Sequence, residues 1–305
     1  MREVRLSPVT VRVAAKVNLQ LSVGAPRPDG FHDLATVFHA VSLYDDVTAL
    51  PGDHLTVSVE GDEGAGVPDD DSNLVLVAAR ALAQHTGVIA RAHLHIHKSI
   101  PVAAGLAGGS VDAAAALVAL DRLWETRLDR DELQFVAAQV GSDVPFGLVG
   151  HTAVGLGRGE QLTPALARGH FHWVLAFANG ELATADVYTE LDRLRKGSVL
   201  AEPRVEDALM TAVRSGDPVA LGRCLSNDMQ RAAVSLHPDL AMTLDTGDEY
   251  GALGSMVSGS GPTCAFLARD EEHALDLAVA LTSSGTCRSV KTVSGPAPGA
   301  RVIDR

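Results

Sequence analysis

Apolar and polar residues alternate strictly over residues 17–23, and this pattern predicts a half-buried β-strand. Side chains two residues apart project from the same face of a strand. One face of this strand, together with the residue before it, carries Lys16, Asn18, Gln20 and Ser22. Two prolines and two glycines in residues 24–30 then predict a loop, because they interrupt regular strand pairing.

The remaining patterns predict strands and helices in both halves of the chain. Strands are predicted over residues 55–60, 93–98, 173–178, 253–258, 263–268 and 287–293. Helices are predicted over residues 73–84, 110–124, 204–214, 218–232 and 271–283, with one more that starts near Asp131. Residues 147–159 are dense in glycine, so we expect a domain boundary near residue 160. The prediction is an α+β protein with domains over residues 1–160 and 161–305.

Composition and charge limit the classes of function. The chain has 305 residues, 46% hydrophobic and 21% charged, so it can fold around a large core and is not disordered throughout. A formal net charge of −13 argues against a general binder of nucleic acid or of anionic membranes. Any phosphate site must therefore be local, built from backbone N–H groups and a few placed cations.

Cysteine use and the N-terminal sequence predict a cytoplasmic protein. The three cysteines form no CxxC pair, which fits a reducing compartment and argues against a disulfide scaffold or a cysteine zinc site. Residues 1–13 lack the apolar stretch and cleavage site of a secretion signal. Residues 100–120 carry a single charge, but their glycines, alanines and central Asp112 argue against a membrane span.

A glycine-rich segment over residues 101–110 lies between a predicted strand and a predicted helix. Its glycines allow a ligand to approach the backbone closely, and the helix start offers unpaired N–H groups, so the segment predicts an anion site. It lacks both the G-K-[ST] ending of a Walker A loop and the G-x-G-x-x-G pattern of a dinucleotide-binding loop. An ordinary glycine-rich turn is the alternative. Two of the four lysines, Lys16 and Lys98, flank the proposed site.

Three segments together resemble motifs of the GHMP kinases, the superfamily of galactokinase and of homoserine, mevalonate and phosphomevalonate kinases. Residues 101–113 (P-x-x-x-G-L-x-G-G-S-x-x-A) are similar to its central ATP-binding motif. Residues 14–19 (AAKVNL) and 257–262 (VSGSGP) resemble its N-terminal and C-terminal motifs. Residues 27–34 (RPDGFHDL) and 141–146 (GSDVPF) resemble the members that phosphorylate a cytidine diphosphate sugar alcohol in non-mevalonate isoprenoid synthesis.

The resemblance implies a two-domain GHMP kinase fold. The active site would lie in the cleft between an N-terminal ATP-binding domain and a C-terminal ferredoxin-like domain. The cofactors would be ATP and Mg²⁺, and the partner a small-molecule cytidine diphosphate sugar alcohol. We expect no nucleic-acid or membrane partner, and either a monomer or a homodimer.

The resemblance also implies roles for individual residues. The catalytic residues would be Lys16 and Asp143. The ATP-binding residues would be Lys98, Pro101, Val102, Ala103, Ala104, Gly105, Leu106, Ala107, Gly108, Gly109, Ser110 and Val111. The substrate-binding residues would be Asn18, Phe31, His32, Thr184, Tyr188, Gly259 and Ser260. No acidic ligand for Mg²⁺ is marked by spacing.

Each of these roles has a structural alternative. Asp143 is expected to accept the hydroxyl proton while Lys16 orients it, but an aspartate before a helix is commonly a cap. Phe31 stands where the family usually has tyrosine and is expected to stack on cytosine; otherwise it anchors its loop in the core. Ser110 binds phosphate or Mg²⁺, or serves as an N-cap.

A metal site on the strand over residues 93–98 is disfavoured. Its three histidines share one face, yet they are spaced by roughly 6.5–7 Å and do not converge on one tetrahedral ion. Two other functions stay open at this point: another GHMP kinase of the homoserine or mevalonate type, and a GHMP-fold binding protein without catalysis. The R-x-D-G-[YF]-H segment argues against the first, and the presence of both Lys16 and Asp143 argues against the second.

Overall fold

The computed structural model describes residues 7–303. The strands in chain order are β1 (Val9–Pro26), β2 (His32–Leu50), β3 (Leu55–Glu60), β4 (Ala92–His97), β5 (Thr152–Gly157), β6 (Gln161–Pro164), β7 (Phe171–Phe177), β8 (Ser226–Asn227), β9 (Gly254–Val257), β10 (Cys264–Ala268), β11 (Ser289–Gly295) and β12 (Arg301–Ile303). The helices are α1 (Leu74–Thr86), α2 (Gly108–Leu123), α3 (Arg130–Val140), α4 (Val144–Val149), α5 (Thr184–Leu194), α6 (Asp207–Ser215), α7 (Pro218–Gly222), α8 (Gln230–Leu236), α9 (Asp239–Glu249) and α10 (Glu271–Ser284).

A mixed sheet forms the centre of the first half. Its main path runs β12-β1-β2-β4-β3, β5 pairs with β2, and β6 extends β5. β1 and β2 form a long antiparallel hairpin whose register runs from Val9 opposite Ala49 to Pro26 opposite His32. Residues 13–21 of β1 are all buried, so the prediction of a half-buried strand is wrong. The polar face of β1 is covered as well, because Gln20 bonds the backbone of Arg204 and Glu206.

Helix α2 lies in the core against β1, β2 and α1. It is fully buried at Ala113, Ala114, Ala115 and Ala116, because alanine lets backbones approach closely. Within residues 7–303, no helix is both long and apolar enough to cross a bilayer. The first six residues of the N-terminal segment considered above lie outside the described range.

The second half contains an antiparallel sheet in the order β11-β7-β10-β9. In chain order the elements run β7, helices, β9, β10, α10, β11. Numbered along the chain, the strands therefore take the spatial order 4-1-3-2 of a ferredoxin-like βαββαβ unit. Its core includes Val174, Phe266 and Leu277, which are fully buried. The two-domain α+β prediction is confirmed.

Several elements differ from the sequence prediction. Residues 218–232 form two short helices, α7 and α8, separated by β8, which pairs with Gln20 and Leu21 of β1. At the end of α7, Gly222 packs so closely on Leu253 that a Cβ would lie 2.1 Å from its carbonyl oxygen, so no side chain fits there. β1 extends three residues into the predicted loop over residues 24–30.

Three strands from beyond residue 160 join the first sheet: β6, β8 and β12. The first sheet therefore draws on residues from both sides of the proposed domain boundary. The boundary itself stays a prediction.

Candidate active site

The segment from Pro101 to Ala107 forms a compact loop before α2. Left-handed backbone occurs at Ala103 (φ 50°), Gly105 (φ 73°) and Ala107 (φ 59°). α2 begins at Gly108, with Ala107 as its N-cap and no side-chain capping bond. The first N–H groups of a helix have no intrahelical partner, and together with the helix dipole they favour an anion. The loop therefore has the backbone geometry of a phosphate site.

Ser110 is not the N-cap of this helix. It is the third residue of α2, and it lines the cavity in front of the loop. The capping alternative considered for Ser110 is therefore wrong, because the helix starts two residues earlier than its glycines suggested.

The three sequence motifs, at residues 14–19, 101–113 and 257–262, meet at this loop. The backbone N–H of Lys16 donates to the carbonyl of Leu106 at 3.3 Å. The hydroxyl of Ser258 donates to the carbonyl of Gly105 at 3.1 Å. A Cβ on Gly105 would lie 2.0 Å from the carbonyl oxygen of Ser258, so only glycine fits there. Segments far apart in the chain therefore form one surface.

The turn at residues 258–261 is held from behind by Asn227. Its side-chain amide donates to the carbonyls of Val257 at 2.7 Å and Gly259 at 2.8 Å. In front, the hydroxyls of Ser260 and Thr184 lie 3.0 Å apart. Asn227 was not found from the sequence, since no local motif marks it.

A cavity of about 350 Å³ opens between the loop and the first strand. Most of the predicted site residues line it: Lys16, Asn18, Ala103, Ala104, Gly105, Ala107, Gly108, Gly109, Ser110, Asp143, Thr184, Tyr188, Gly259 and Ser260. Leu106 and Val111 are instead fully buried in the core under the loop. Pro101 and Val102 line a separate neighbouring cavity.

Lys16 is buried at the base of this cavity. Its ammonium donates to Asn18 Oδ1 at 2.8 Å and to the carbonyl of Gly105 at 3.2 Å, and it lies 3.9 Å from Asp143 Oδ2. Asn18 is fixed in turn by its bond to Thr36 at 2.8 Å. Burial lowers the pKa of Lys16, and the charge of Asp143 acts in the opposite direction. The Lys16 side chain is therefore held by fixed protein partners rather than by solvent.

Asp143 occupies the N-cap position of α4 but makes no capping bond with its side chain. Its carboxylate is 34% exposed and lines both the first cavity and a second, outer cavity. A carboxylate that leaves its helix uncapped is free to contact a ligand, and here it lies where two cavities join.

The outer cavity has a volume of about 630 Å³ and an aromatic wall. Phe31 is 47% exposed there, so it does not anchor its loop in the core. His32 is buried and stacks on Tyr188, with ring centroids 4.8 Å apart, and its Nε2 lies 2.9 Å from Asp192 Oδ1. Burial, together with the charge of Asp143, raises the pKa of Tyr188 to about 12, so its hydroxyl stays protonated at neutral pH.

Lys98 does not line either cavity. Its ammonium is buried between Asp45 at 2.5 Å and Asp112 at 2.6 Å. Burial disfavours its charge, but these two carboxylates outweigh burial and raise the pKa of Lys98. Asp45 also accepts the backbone N–H groups of Ser99 and Ile100. The geometry therefore supports a role for Lys98 beneath the phosphate loop, and not the direct ATP contact that the sequence suggested.

The histidines of β4 take part in ordinary polar pairing. His93 and His95 each contact the hydroxyl of Ser58 at 2.9 Å, and His95 and His97 contact Glu60. Within the described part of the chain, no cluster of three or more His, Cys, Asp or Glu is placed to hold a metal ion.

Two family models match this chain, one in each half. Residues 73–153 match the family model described as the GHMP kinases N terminal domain, and residues 209–287 match the GHMP kinases C terminal model. A curated protein from Thermobifida fusca, named 4-diphosphocytidyl-2-C-methyl-D-erythritol kinase, is 54% identical over 97% of this chain and 98% of its own. A protein of the same name from Nocardia farcinica is 56% identical over 98% of this chain and 97% of its own.

Solved structures share the architecture. A crystal structure of 4-(cytidine 5'-diphospho)-2C-methyl-D-erythritol kinase superposes with a TM-score of 0.74 at 30% identity, covering 93% of this chain and 98% of that one. Homoserine kinase from Cytophaga hutchinsonii superposes with a TM-score of 0.73 at 16% identity, covering 99% of both chains, a likeness of fold alone.

Proposed function

Because the chain belongs to the GHMP kinase family, we propose that it is an ATP-dependent kinase that phosphorylates the 2-hydroxyl of 4-diphosphocytidyl-2-C-methyl-D-erythritol. The products are the 2-phosphate and ADP. Near-full-length similarity to curated proteins of that name supports the choice of substrate. The observation that carries the proposal is the meeting of Lys16, Asp143 and the uncapped start of α2 around one cavity.

The phosphates of ATP bind at the loop before α2. Backbone N–H groups of Gly108, Gly109 and Ser110 contact the phosphate oxygens, where the helix dipole adds to the attraction. The buried ammonium of Lys16 lies beside the same loop. A phosphate next to Lys16 favours its charged form and so offsets the effect of burial on its pKa.

The transfer step needs a base, a cation and alignment. Asp143 accepts the proton of the acceptor hydroxyl as the new O–P bond forms, and the bond from the γ-phosphorus to the β-phosphate oxygen breaks to release ADP. Lys16, 3.9 Å from Asp143, neutralises charge on the transferred group and orients the carboxylate. The cavity walls hold the two reactants in line.

Mg²⁺ is the expected companion of ATP. It prefers oxygen ligands, and the hydroxyl of Ser110 and the carboxylate of Asp143 are among the oxygen ligands that line the inner cavity. These residues fit a Mg²⁺ bound mainly by phosphate oxygens and water, with Ser110 as the protein contact. When bound, Mg²⁺ supplies neutralisation of phosphate charge.

The cytidine end of the substrate binds in the outer cavity. The exposed ring of Phe31 offers a stacking face for cytosine. His32 contacts the base edge, and Tyr188 stacks on His32 to form the second wall. Thr184 lines both cavities, and its hydroxyl lies 3.0 Å from that of Ser260, which lines the inner one. These two residues contact the remainder of the substrate.

The wider setting follows from the substrate. The reaction belongs to non-mevalonate isoprenoid precursor synthesis, and a cytoplasmic location with a monomer or homodimer is the arrangement we expect. Solved homoserine and mevalonate kinases share the fold with this chain at 16–21% identity. The aromatic outer cavity favours a nucleotide-linked substrate over those small acids.

A panel of substrates tests the proposal. ADP release is measured with ATP and, in turn, 4-diphosphocytidyl-2-C-methyl-D-erythritol, homoserine or mevalonate. We expect turnover with the first alone. Turnover with homoserine or mevalonate instead would show that the proposed substrate is wrong. Binding of nucleotides without any turnover would show that the protein is a non-catalytic member of the family.

A further inference from the structure

Arg158 lies in the outer cavity without an assigned role. It lines the cavity together with Phe31 and Asp143, and its guanidinium carbon lies 4.8 Å from the centroid of the Phe31 ring. Within residues 7–303 its side chain makes no ion pair of 4.0 Å or less with a carboxylate. A partly buried arginine next to an aromatic ring and without an anion has unused hydrogen-bond donors.

The turn between β5 and β6 holds Arg158 in place. Gly159 donates to the carbonyl of Leu156 at 3.0 Å, and the backbone N–H of Arg158 donates to Glu160 Oε2 at 2.6 Å. Glu160, the nearest carboxylate in sequence, is therefore bonded to the turn backbone and leaves the guanidinium free. A Cβ built on Gly159 would lie 4.0 Å from Asp143 Oδ1, so the turn abuts the proposed base.

The charges around the outer cavity require a cation for an anionic substrate. Its lining includes the carboxylates of Asp143 and Asp192, and among residues 7–303 Arg158 is the one lysine or arginine that lines it. Lys16 is directed to the inner cavity, where it bonds the carbonyl of Gly105. A diphosphate that passes two carboxylates is repelled unless a positive group stands beside it.

We infer that Arg158 binds the diphosphate of the cytidine diphosphate substrate, a step that rests on the function proposed above. Arg158 shares the outer cavity with Phe31, which stacks on the base in the proposed complex, and with Asp143, which faces the hydroxyl. The guanidinium lies over the Phe31 ring, 4.8 Å from its centroid, and cytosine would take the opposite ring face. Its N–H edge then presents the paired donors that suit phosphate oxygens.

The test measures how much each phosphate adds to binding. Cytidine, CMP and CDP are titrated into the ATP-free protein by calorimetry, for the wild type, Arg158→Gln and Arg158→Lys. The wild type binds CDP more tightly than CMP. Arg158→Gln loses roughly ten- to hundredfold of the affinity for CDP while keeping its affinity for cytidine, and Arg158→Lys falls between the two. In turnover assays, Arg158→Gln raises KM for the cytidine substrate by a similar factor and leaves KM for ATP within about twofold.

Arg130→Gln is the matched control, because Arg130 is exposed at the start of α3 and lines neither cavity. It makes the same change in net charge and is expected to bind all three ligands as the wild type does. If an active, folded Arg158→Gln protein keeps the wild-type ratio of CDP affinity to CMP affinity, the role of Arg158 is overturned and the proposed function is not. A raised KM for ATP would assign Arg158 to the other substrate. A wild type that neither binds cytidine nucleotides nor turns over would overturn both this inference and the proposed function.

Discussion

At the scale of single residues, the chemistry depends on a carboxylate that its own helix does not use. Asp143 stands at the N-cap of α4, yet its side chain makes no capping bond. The buried ammonium of Lys16 lies 3.9 Å away, held by Asn18 and by the loop carbonyl of Gly105. The pair is therefore positioned before any ligand binds, which is what a base facing an alcohol requires.

Asp143→Asn should nearly abolish turnover and leave nucleotide binding largely intact. Asparagine keeps the shape of the side chain but does not accept the proton, and general-base catalysis contributes about 10²–10⁴-fold. The measurement is kcat alongside calorimetric binding of an ATP analogue. Asp131→Asn, an exposed position in the first turn of α3, is the control and should keep full activity. Full activity of Asp143→Asn would remove Asp143 from the role of base.

Phe31→Ala should raise KM for the cytidine substrate much more than KM for ATP. Stacking on an aromatic side chain is worth about 1–3 kcal/mol per base, which corresponds to roughly 5- to 150-fold in affinity. Steady-state kinetics with each substrate varied in turn gives both constants. Phe135→Ala is the control, because Phe135 is 61% exposed and lies outside both cavities. Equal effects of Phe31→Ala on the two constants would contradict the stacking assignment.

At the scale of elements, the phosphate loop is shaped by its contact with the turn at residues 258–261. Gly105→Ala should destabilise the protein and raise KM for ATP, because the added Cβ would lie 2.0 Å from Ser258 and because φ is 73°. Left-handed backbone at a non-glycine residue costs about 1–3 kcal/mol, and the steric overlap adds to it. Thermal unfolding and ATP kinetics measure both effects.

Gly109→Ala provides the comparison for this loop. A Cβ there would meet its nearest atom, on Leu74, at the ordinary distance of 3.6 Å. The Gly109→Ala protein should therefore unfold within a few degrees of the wild type. A Gly105→Ala protein as stable as Gly109→Ala would show that the contact with Ser258 does not shape the loop.

The buried cluster of Lys98, Asp45 and Asp112 ties the loop to β2 and α2. Both carboxylates accept from Lys98, but Asp45 also accepts two backbone N–H groups, whereas Asp112 Oδ1 has no hydrogen-bond partner among residues 7–303. Burial raises the pKa of Asp112 well above its usual value; the charge of Lys98 acts in the opposite direction, and the charge of Asp45 adds to the rise. We therefore interpret Asp112 as the protonated member and Asp45 as the counterion of Lys98.

Asp45→Asn and Asp112→Asn should differ in stability. Removing the counterion of a buried charge costs about 3–5 kcal/mol, so Asp45→Asn should be strongly destabilised. Asparagine replaces a protonated aspartate with little change, so Asp112→Asn should cost less than about 1 kcal/mol. Denaturant unfolding measures both, and equal losses would contradict this assignment of the proton.

The Asp45 and Asp112 carboxylates also predict how the free energy of unfolding depends on pH. A raised folded-state pKa means that the contribution of Asp112 to stability is fully present below the ordinary aspartate pKa of about 3.9 and is lost as the pH rises through the raised value. In Asp112→Asn this part of the pH profile should be missing. The comparison is made by denaturant unfolding across acidic to neutral pH.

Elements with a regular period were predictable from the sequence, and elements whose pattern is interrupted, such as β2, were not. β3 matches its predicted bounds because its alternation is strict, and α10 does so nearly because Asp270 caps it. β2 was missed because bulges in its pairing with β1 break the alternation. The loop and Lys16 were found from motifs. Arg158 and Asn227 were not found from the sequence, because their partners come from distant segments that the fold brings together.

At the scale of the whole molecule, the cleft exists because the two halves are joined in several places. β8 and β12 from the second half pair with β1 of the first sheet. The turn at residues 258–261 closes over the phosphate loop at Gly105. Although the net charge is −13, each cavity is lined by a cation, Lys16 in the inner cavity and Arg158 in the outer one.

A crystal structure of the protein with a non-hydrolysable ATP analogue and 4-diphosphocytidyl-2-C-methyl-D-erythritol tests the central claim most directly. We predict phosphate oxygens on the N–H groups of residues 108–110, and the acceptor hydroxyl within about 3.2 Å of the Asp143 carboxylate, with cytosine against Phe31. A triphosphate bound away from the start of α2, or a hydroxyl that faces a residue other than Asp143, would contradict the account.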